Sequence, residues 1–248
     1  NMNVAPFFTK WLGDVNADQL ENGGVPFVIP NVLGKDSHSS SAWGDAAAIC
    51  PWTIYLRYGD ERIIKKQYKS MKAWVEYIRA QGDNEYLWNS GFHFGDWLAL
   101  DAKEDSYVGA TAKDYIATAF YAYSTWILKE SAKILGLDDD AAEYEDLYSK
   151  IVENFRKEFI TPNGRLSVPT QTAHVLALMF NLIEPQHRQR IVDTLVEYIH
   201  ENDDHLTTGF VGTPYLCHVL SENGHNDLAY KLVQQKDYPS WLYSITKG

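Results

Sequence analysis

Two short segments place an indole beside a carboxylate. One is Phe92-His93-Phe94-Gly95-Asp96-Trp97-Leu98, between two runs of helical spacing; the other is Ala42-Trp43-Gly44-Asp45-Ala46, near a helix start. A Trp face can cover the C–H side of a sugar ring, and an Asp accepts hydrogen bonds from vicinal hydroxyls. A neutral hydroxylated ligand needs both. The plain structural alternative makes Trp43 a core residue, Asp45 a helix cap and Gly95 a simple turn, since Asp often caps helices. The residue types leave both readings open, and two such clusters at equivalent points of the chain favour a binding role. Glycoside hydrolysis also needs paired carboxylates, one acid and one base or nucleophile. Asp45, Asp96 and Asp101 are the loop carboxylates on offer, and none has a neighbour in sequence that would obviously tune it. Glu143, Glu145 and Glu153 fall on amphipathic stretches and read as solvated surface.

Other chemistries find less support. His200 and His205 flank an acidic loop with Asp203 and Asp204, but the spacing matches no zinc pattern, so no metal is expected. No Gly-rich phosphate loop, nucleophile elbow or Cys/His nucleophile pattern occurs, and no cofactor is expected. The formal net charge of −11 disfavours a phosphate backbone as partner, so no nucleic acid is expected. No apolar run approaches the ~18 residues of a membrane span, so no membrane partner is expected. Cys50 and Cys217 lie in apolar helical patterns and read as buried free thiols. With no basic flank or cleavage site near the first residues, they tilt the expectation towards the cytoplasm. The 14% aromatic content fits sugar binding, and it fits a large helical core equally well.

The elements that must carry these loops are helices. Apolar spacing predicts one from Val4 to about Gln19, then a Gly/Pro/Ser-rich connection. Trp43–Tyr58 is apolar on nearly all sides. Asp60 can cap an amphipathic helix reaching about Ala80. Asp114–Leu135 ends at Gly136 and pairs as a hairpin with the helix that opens on Asp138-Asp139-Asp140. Gln171–Asn181 is short and apolar. Pro185 opens a polar helix to about Asn202. Pro214–Asn223 and Asn226–Gln235 complete about nine helices, with no strand series. Apolar helices (Trp43–Tyr58, Gln171–Asn181, Pro214–Leu220) alternate with amphipathic ones, as two concentric rings would require, and long loops rich in Gly, Trp, Asp and Thr gather on one rim. A toroid of six helical hairpins needs twelve helices, so nine make an open array or part of a larger ring.

The segments VAPFFTKWLGDVNADQ, AWGDAAAICPWTIYLRYGD, FGDWLA, TQTAHVLAL, HLTTGFVGTPYL and YPSWLYSITKG, in this order, resemble the catalytic domain of bacterial α-L-rhamnosidases, glycoside hydrolase family 78. The resemblance runs over nearly all of residues 1–248. It implies an all-α (α/α)6 toroid, here incomplete, that hydrolyses terminal α-L-rhamnosides with inversion and without a metal. It also implies that Trp43 and Trp97 are pocket tryptophans, with Asp45, Asp96 and Trp241 at nearby motif positions: two walls of a deoxy-sugar pocket. In that family the general acid Glu stands in an Asp-Glu-Arg block before the first helix, and the general base Glu in a Trp-Glu segment after SITKG. Both are expected outside residues 1–248, leaving this chain inactive alone. Exposed apolar ends at Val4, Phe7, Phe8 and Trp241–Ile245 lead to an expected homo-oligomer. The alternatives are another (α/α)6 glycosidase, or a non-catalytic helical carbohydrate-binding or scaffold module.

Overall fold

The computed structural model describes residues 2–248. Nine α-helices occur among them: α1 Ala5–Asp18, α2 Ala46–Tyr58, α3 Glu61–Arg79, α4 Lys113–Leu135, α5 Asp138–Phe159, α6 Gln171–Met179, α7 Arg188–Glu201, α8 Thr213–Glu222 and α9 Asn226–Gln234. Extended pairing among these residues is confined to isolated bridges. The expected boundaries hold to within a few residues. Two differences are local. Trp43 lies in a run of turns ahead of α2 rather than inside it. Pro185–His187 forms a 3₁₀ turn before α7, the tight geometry common at helix starts.

The chain divides into two compact units. The first comprises Asn1–His93 with Phe120–Asn154, the second Phe94–Ala119 with Phe155–Gly248. In the first unit α1 and α3 both pack on α2. Asp60 caps α3 by accepting from the Arg62 amide. The buried stripe of α3 runs through Ile63, Ile64, Gln67, Met71, Trp74, Val75 and Ile78, the spacing of one helical face. The α5 start is tied to α3: Asp140 accepts from the Tyr68 hydroxyl at 2.6 Å and pairs with Lys72 at 2.9 Å. In the second unit α6 packs on α7 and α8, and α8 on α9. Thr170 caps α6 by accepting from the Ala173 amide. The Tyr115 hydroxyl donates to the Ala173 carbonyl at 2.7 Å, and its ring sits 5.0 Å from Phe155 and 5.1 Å from Phe159.

The alternation read from composition is realised most fully by α6, where every residue from Gln171 to Leu178 is buried. The other two apolar helices keep an open face: Leu56 on α2 is 61% exposed and His218 on α8 is exposed. Apolar content predicts a preference for burial, and burial itself depends on what packs there. Both cysteines are free and half-buried rather than fully buried. Burial pushes the Cys50 thiol up to about 11, which keeps it protonated and unreactive at neutral pH.

One core position works against stability. Gln67 is 0% exposed, and neither atom of its amide has a hydrogen-bond partner among the described residues. A buried amide without partners carries its desolvation penalty in full. Gln67→Met keeps the length and removes the polar group, and is expected to stabilise the fold by about 1–3 kcal/mol. The urea midpoint reads this directly; a lower midpoint in the variant would mean that the amide is satisfied in solution.

Candidate functional site

The two Trp/Asp motifs share a local design within their own units. In the first, Asp45 stands at the N-cap position of α2, but its side chain does not cap the helix. The carboxylate turns back and accepts from the Ala42 amide at 2.7 Å, the Trp74 indole N–H at 2.9 Å and the Ser124 hydroxyl at 2.6 Å. It is 0% exposed. Burial raises its pKa above the ordinary carboxylate range, while hydrogen bonds from Ser124, Trp74 and Ala42 pull it back. Gly44 lets the indole of Trp74 in: a Cβ there would lie 2.4 Å from the ring. The result is a turn that holds Trp43 half-buried at its crest. His93, from the other motif, also belongs to this unit. Its Nδ1 accepts from the Ser41 amide at 3.1 Å, so Nε2 carries the hydrogen and donates to the Ser90 carbonyl at 3.0 Å.

In the second unit Asp96 is also 0% exposed. One oxygen accepts from the Thr172 hydroxyl at 2.5 Å and the Gly209 amide at 2.9 Å; the other accepts from the Val211 amide at 2.8 Å. Between those two amides, the Phe210 N–H donates to the Trp97 carbonyl at 3.0 Å. A Cβ at position 209 would lie 2.5 Å from the Trp97 carbonyl oxygen, so the turn closes this tightly because residue 209 is glycine. Trp97 itself stays half-buried, its ring 5.8 Å from Phe94 and 5.6 Å from Tyr107. Phe210 and Tyr107 are 62% and 67% exposed. The loop thus presents aromatic faces from a backbone that a buried carboxylate pins in place.

Both tryptophans adjoin a non-glycine residue in the left-handed region. Ala42, before Trp43, has φ 67°, and Leu98, after Trp97, has φ 57°. Such conformations cost of order 1 kcal/mol or more and persist where surrounding bonds over-determine them, often at ligand sites. Here the Ala42 amide is held by Asp45, and the Leu98 amide donates to the Tyr107 carbonyl at 2.6 Å.

The five site residues expected from sequence therefore fall into three groups. Trp43 and Asp45 belong to the first unit, Asp96 and Trp97 to the second. Trp241, also in the second, lies after α9 and is 38% exposed, with no bond or ring contact to Trp97 among the described residues. The two aspartates sit beneath the loops with their oxygens occupied, an arrangement that suits positioning. Asp101 keeps partial solvent access, accepts from the Ala110 amide at 3.0 Å, and has its pKa raised chiefly by burial. No group of three His, Cys, Asp or Glu residues is placed to hold a metal among the described residues. Asp204 instead pairs with His200 and Lys231. Sequence reasoning missed Trp74, Ser124, Thr172 and Gly209 as partners of the carboxylates, and Phe210 as a displayed ring. The Gly209-Phe210-Val211-Gly212 turn was the available signal: an aromatic set between glycines in a loop.

Nine helices with no strand among the described residues fit the fold of a six-hairpin glycosidase. The chain belongs to the bacterial α-L-rhamnosidase six-hairpin glycosidase domain family, a glycoside hydrolase family whose model matches residues 1–248. It is 39% identical over 250 residues to an α-L-rhamnosidase of Formosa agariphila, covering 100% of this chain and 27% of that protein. An α-L-rhamnosidase of Streptomyces avermitilis is 38% identical over 247 residues, with 100% of this chain and 23% of that protein covered. The chain thus spans about a quarter of the length of the curated relatives it matches. Among solved structures, the S. avermitilis α-L-rhamnosidase complexed with L-rhamnose superimposes with a TM-score of 0.90 at 38% identity, over 98% of this chain and 22% of that one. The native enzyme of Aspergillus terreus superimposes with a TM-score of 0.94 at 34% identity, over 98% and 29%.

Proposed function

We propose that the protein carrying this domain hydrolyses terminal α-L-rhamnosides with inversion, and that this chain contributes sugar-contacting walls and no catalytic pair. The observation that carries the reading is Trp97: a half-buried indole flanked by Phe94 and Tyr107, on a loop whose register is fixed by the buried Asp96. Such a face suits the C–H side of a 6-deoxy sugar, whose methyl group adds apolar surface. Trp43 is proposed to make a comparable contact from its own unit and Trp241 a peripheral one, while Asp45 and Asp96 hold the indoles beside them in place. The inverting reaction needs an acid and a base carboxylate about 6.5–9.5 Å apart. Asp45 and Asp96 are buried and accept from three donors each, which supports a positioning role over either catalytic one.

Kinetics with p-nitrophenyl α-L-rhamnoside test the reading. In the whole enzyme, Trp97→Ala is expected to weaken sugar binding by about 1–3 kcal/mol, the scale of a stacked aromatic in a desolvated site. Unchanged kinetics would make Trp97 structural. Proton NMR of the first-formed product separates inversion from retention, and a panel of nitrophenyl glycosides separates rhamnose from other sugars. The occupied carboxylates also favour a second reading, a sugar-binding module without chemistry; binding of L-rhamnose with no turnover by the whole protein would select it.

The chain is further proposed to pair with a second copy of itself. Phe7 is 65% exposed and Ile245 72% exposed, and exposed apolar side chains favour association. Light scattering of the purified chain should report a dimer or larger species, and a well-behaved monomer counts against this.

A further inference from the structure

A cavity of about 320 Å³ opens in the second unit between the 160–169 turn and helices α6 and α7. Its volume is at the small end of the roughly 300–1,000 Å³ of ligand sites, the size for one sugar-like molecule. Its lining includes Arg165, Ser167, Pro169, His174, Ile191 and Tyr198, none of which enters the site described above.

His174 sets the polarity of this cavity. It is 2% exposed, and its Nδ1 lies 2.8 Å from the Thr170 carbonyl oxygen. A carbonyl can only accept, so Nδ1 carries the hydrogen, and the neutral ring keeps a lone pair on Nε2. Burial maintains that neutral form by drawing the pKa down to about 4. Nε2 has no hydrogen-bond partner among the described residues. The cavity therefore offers, on a side chain that is 2% exposed, an acceptor open to a donor entering from the cavity. Arg165, at the mouth, is exposed and its guanidinium makes no ion pair among the described residues. The Ser167 and Tyr198 hydroxyls are likewise uncommitted there, whereas Thr194 spends its hydroxyl on the Arg190 carbonyl at 3.0 Å. Pro169, Ile191 and the Tyr198 ring add apolar faces.

We infer that this cavity binds a monosaccharide-sized polyhydroxylated carboxylate. A planar guanidinium fork matches one carboxylate in bidentate geometry. A ligand hydroxyl donates to His174 Nε2, and the C–H face of the ligand lies on the apolar lining. Inorganic phosphate fits less well: its P–O–H can donate to the imidazole lone pair, but it has no C–H face to lie on the apolar lining. A neutral sugar satisfies His174 and leaves Arg165 unused. The inference stands apart from the rhamnoside reading, since it uses none of the same residues.

Calorimetric titration of the purified 248-residue chain with D-glucuronate, D-glucose, acetate and inorganic phosphate tests it. Glucuronate is expected to bind with a dissociation constant on the order of 1 mM, and glucose roughly tenfold more weakly, the loss of one charge-assisted contact. Arg165→Ala, at an exposed position, should lower glucuronate to the glucose level and leave glucose unchanged. His174→Phe should remove both. Saturating L-rhamnose should alter none of these values. The absence of glucuronate binding, its persistence in Arg165→Ala, or equal binding of phosphate would each overturn the inference.

Discussion

The purified 248-residue chain is expected to release no measurable nitrophenol from p-nitrophenyl α-L-rhamnoside. General acid and general base assistance are each worth roughly 10²–10⁴-fold, so a chain whose loop carboxylates serve neither role falls short by the product of the two. The expectation rests on where those carboxylates are. Asp45 and Asp96 are 0% exposed. Their oxygens face Ala42, Trp74 and Ser124 in one case and Thr172, Gly209 and Val211 in the other. Asp101 is the one of the three that keeps solvent access, and its raised pKa is the property expected of a general acid. It therefore provides the decisive control. Turnover that survives purification and disappears in Asp101→Asn, with the melting temperature unchanged, would place the chemistry in this chain and defeat the expectation.

The second large effect is structural. Asp96→Ala strands two buried backbone amides and a buried hydroxyl, at about 1–3 kcal/mol each before relaxation. Allowing for some rescue by water, the variant should lose about 3–5 kcal/mol, and the melting temperature of a chain of this size should fall by roughly 10 °C. The Gly209–Val211 turn should loosen with it, since both amides on either side of Phe210 let go together. Asp96→Asn keeps one acceptor oxygen and should fall between. Asp105→Ala, on the exposed part of the same loop, should melt with the parent chain. An Asp96→Ala melt within a degree or two of the parent would mean that the three bonds contribute little and that Trp97 is held by other contacts.

The contrast between these two carboxylates and the helices around them marks what could be read in advance. The helices are local: an Asp60 cap, a 3.6-residue apolar stripe on α3, a short and largely apolar α6. Nine helices and most of their ends follow from such neighbours. The roles of Asp45 and Asp96 are not local. Beside Ala42, Asp45 depends on Trp74 and Ser124, 29 and 79 residues on. Asp96 depends on Thr172, Gly209 and Val211, between 76 and 115 residues on. A motif of Trp and Asp signals that a loop is special without saying whether the acid meets a ligand or holds the backbone. Similarly, the apolar character of α2 forecast burial, yet Leu56 stays 61% exposed, because composition cannot name the surface that packs against it.

The division of the chain into interleaved units carries a consequence for synthesis. The first unit takes Asn1–His93 and then Phe120–Asn154, so the segment Phe94–Ala119 emerges from the ribosome between two pieces of a unit to which it does not belong. Translation supplies about 5–20 residues per second, and domains tend to close as soon as their last piece is out. The first unit can close once α5 has passed Asn154. Phe94–Ala119 has to wait: its buried aspartate finds two of its three partners only when Gly209 and Val211 appear, more than a hundred residues later. For several seconds the nascent chain exposes Trp97, Tyr107 and a carboxylate without its donors, next to a finished unit. That interval is where a chaperone has most to protect.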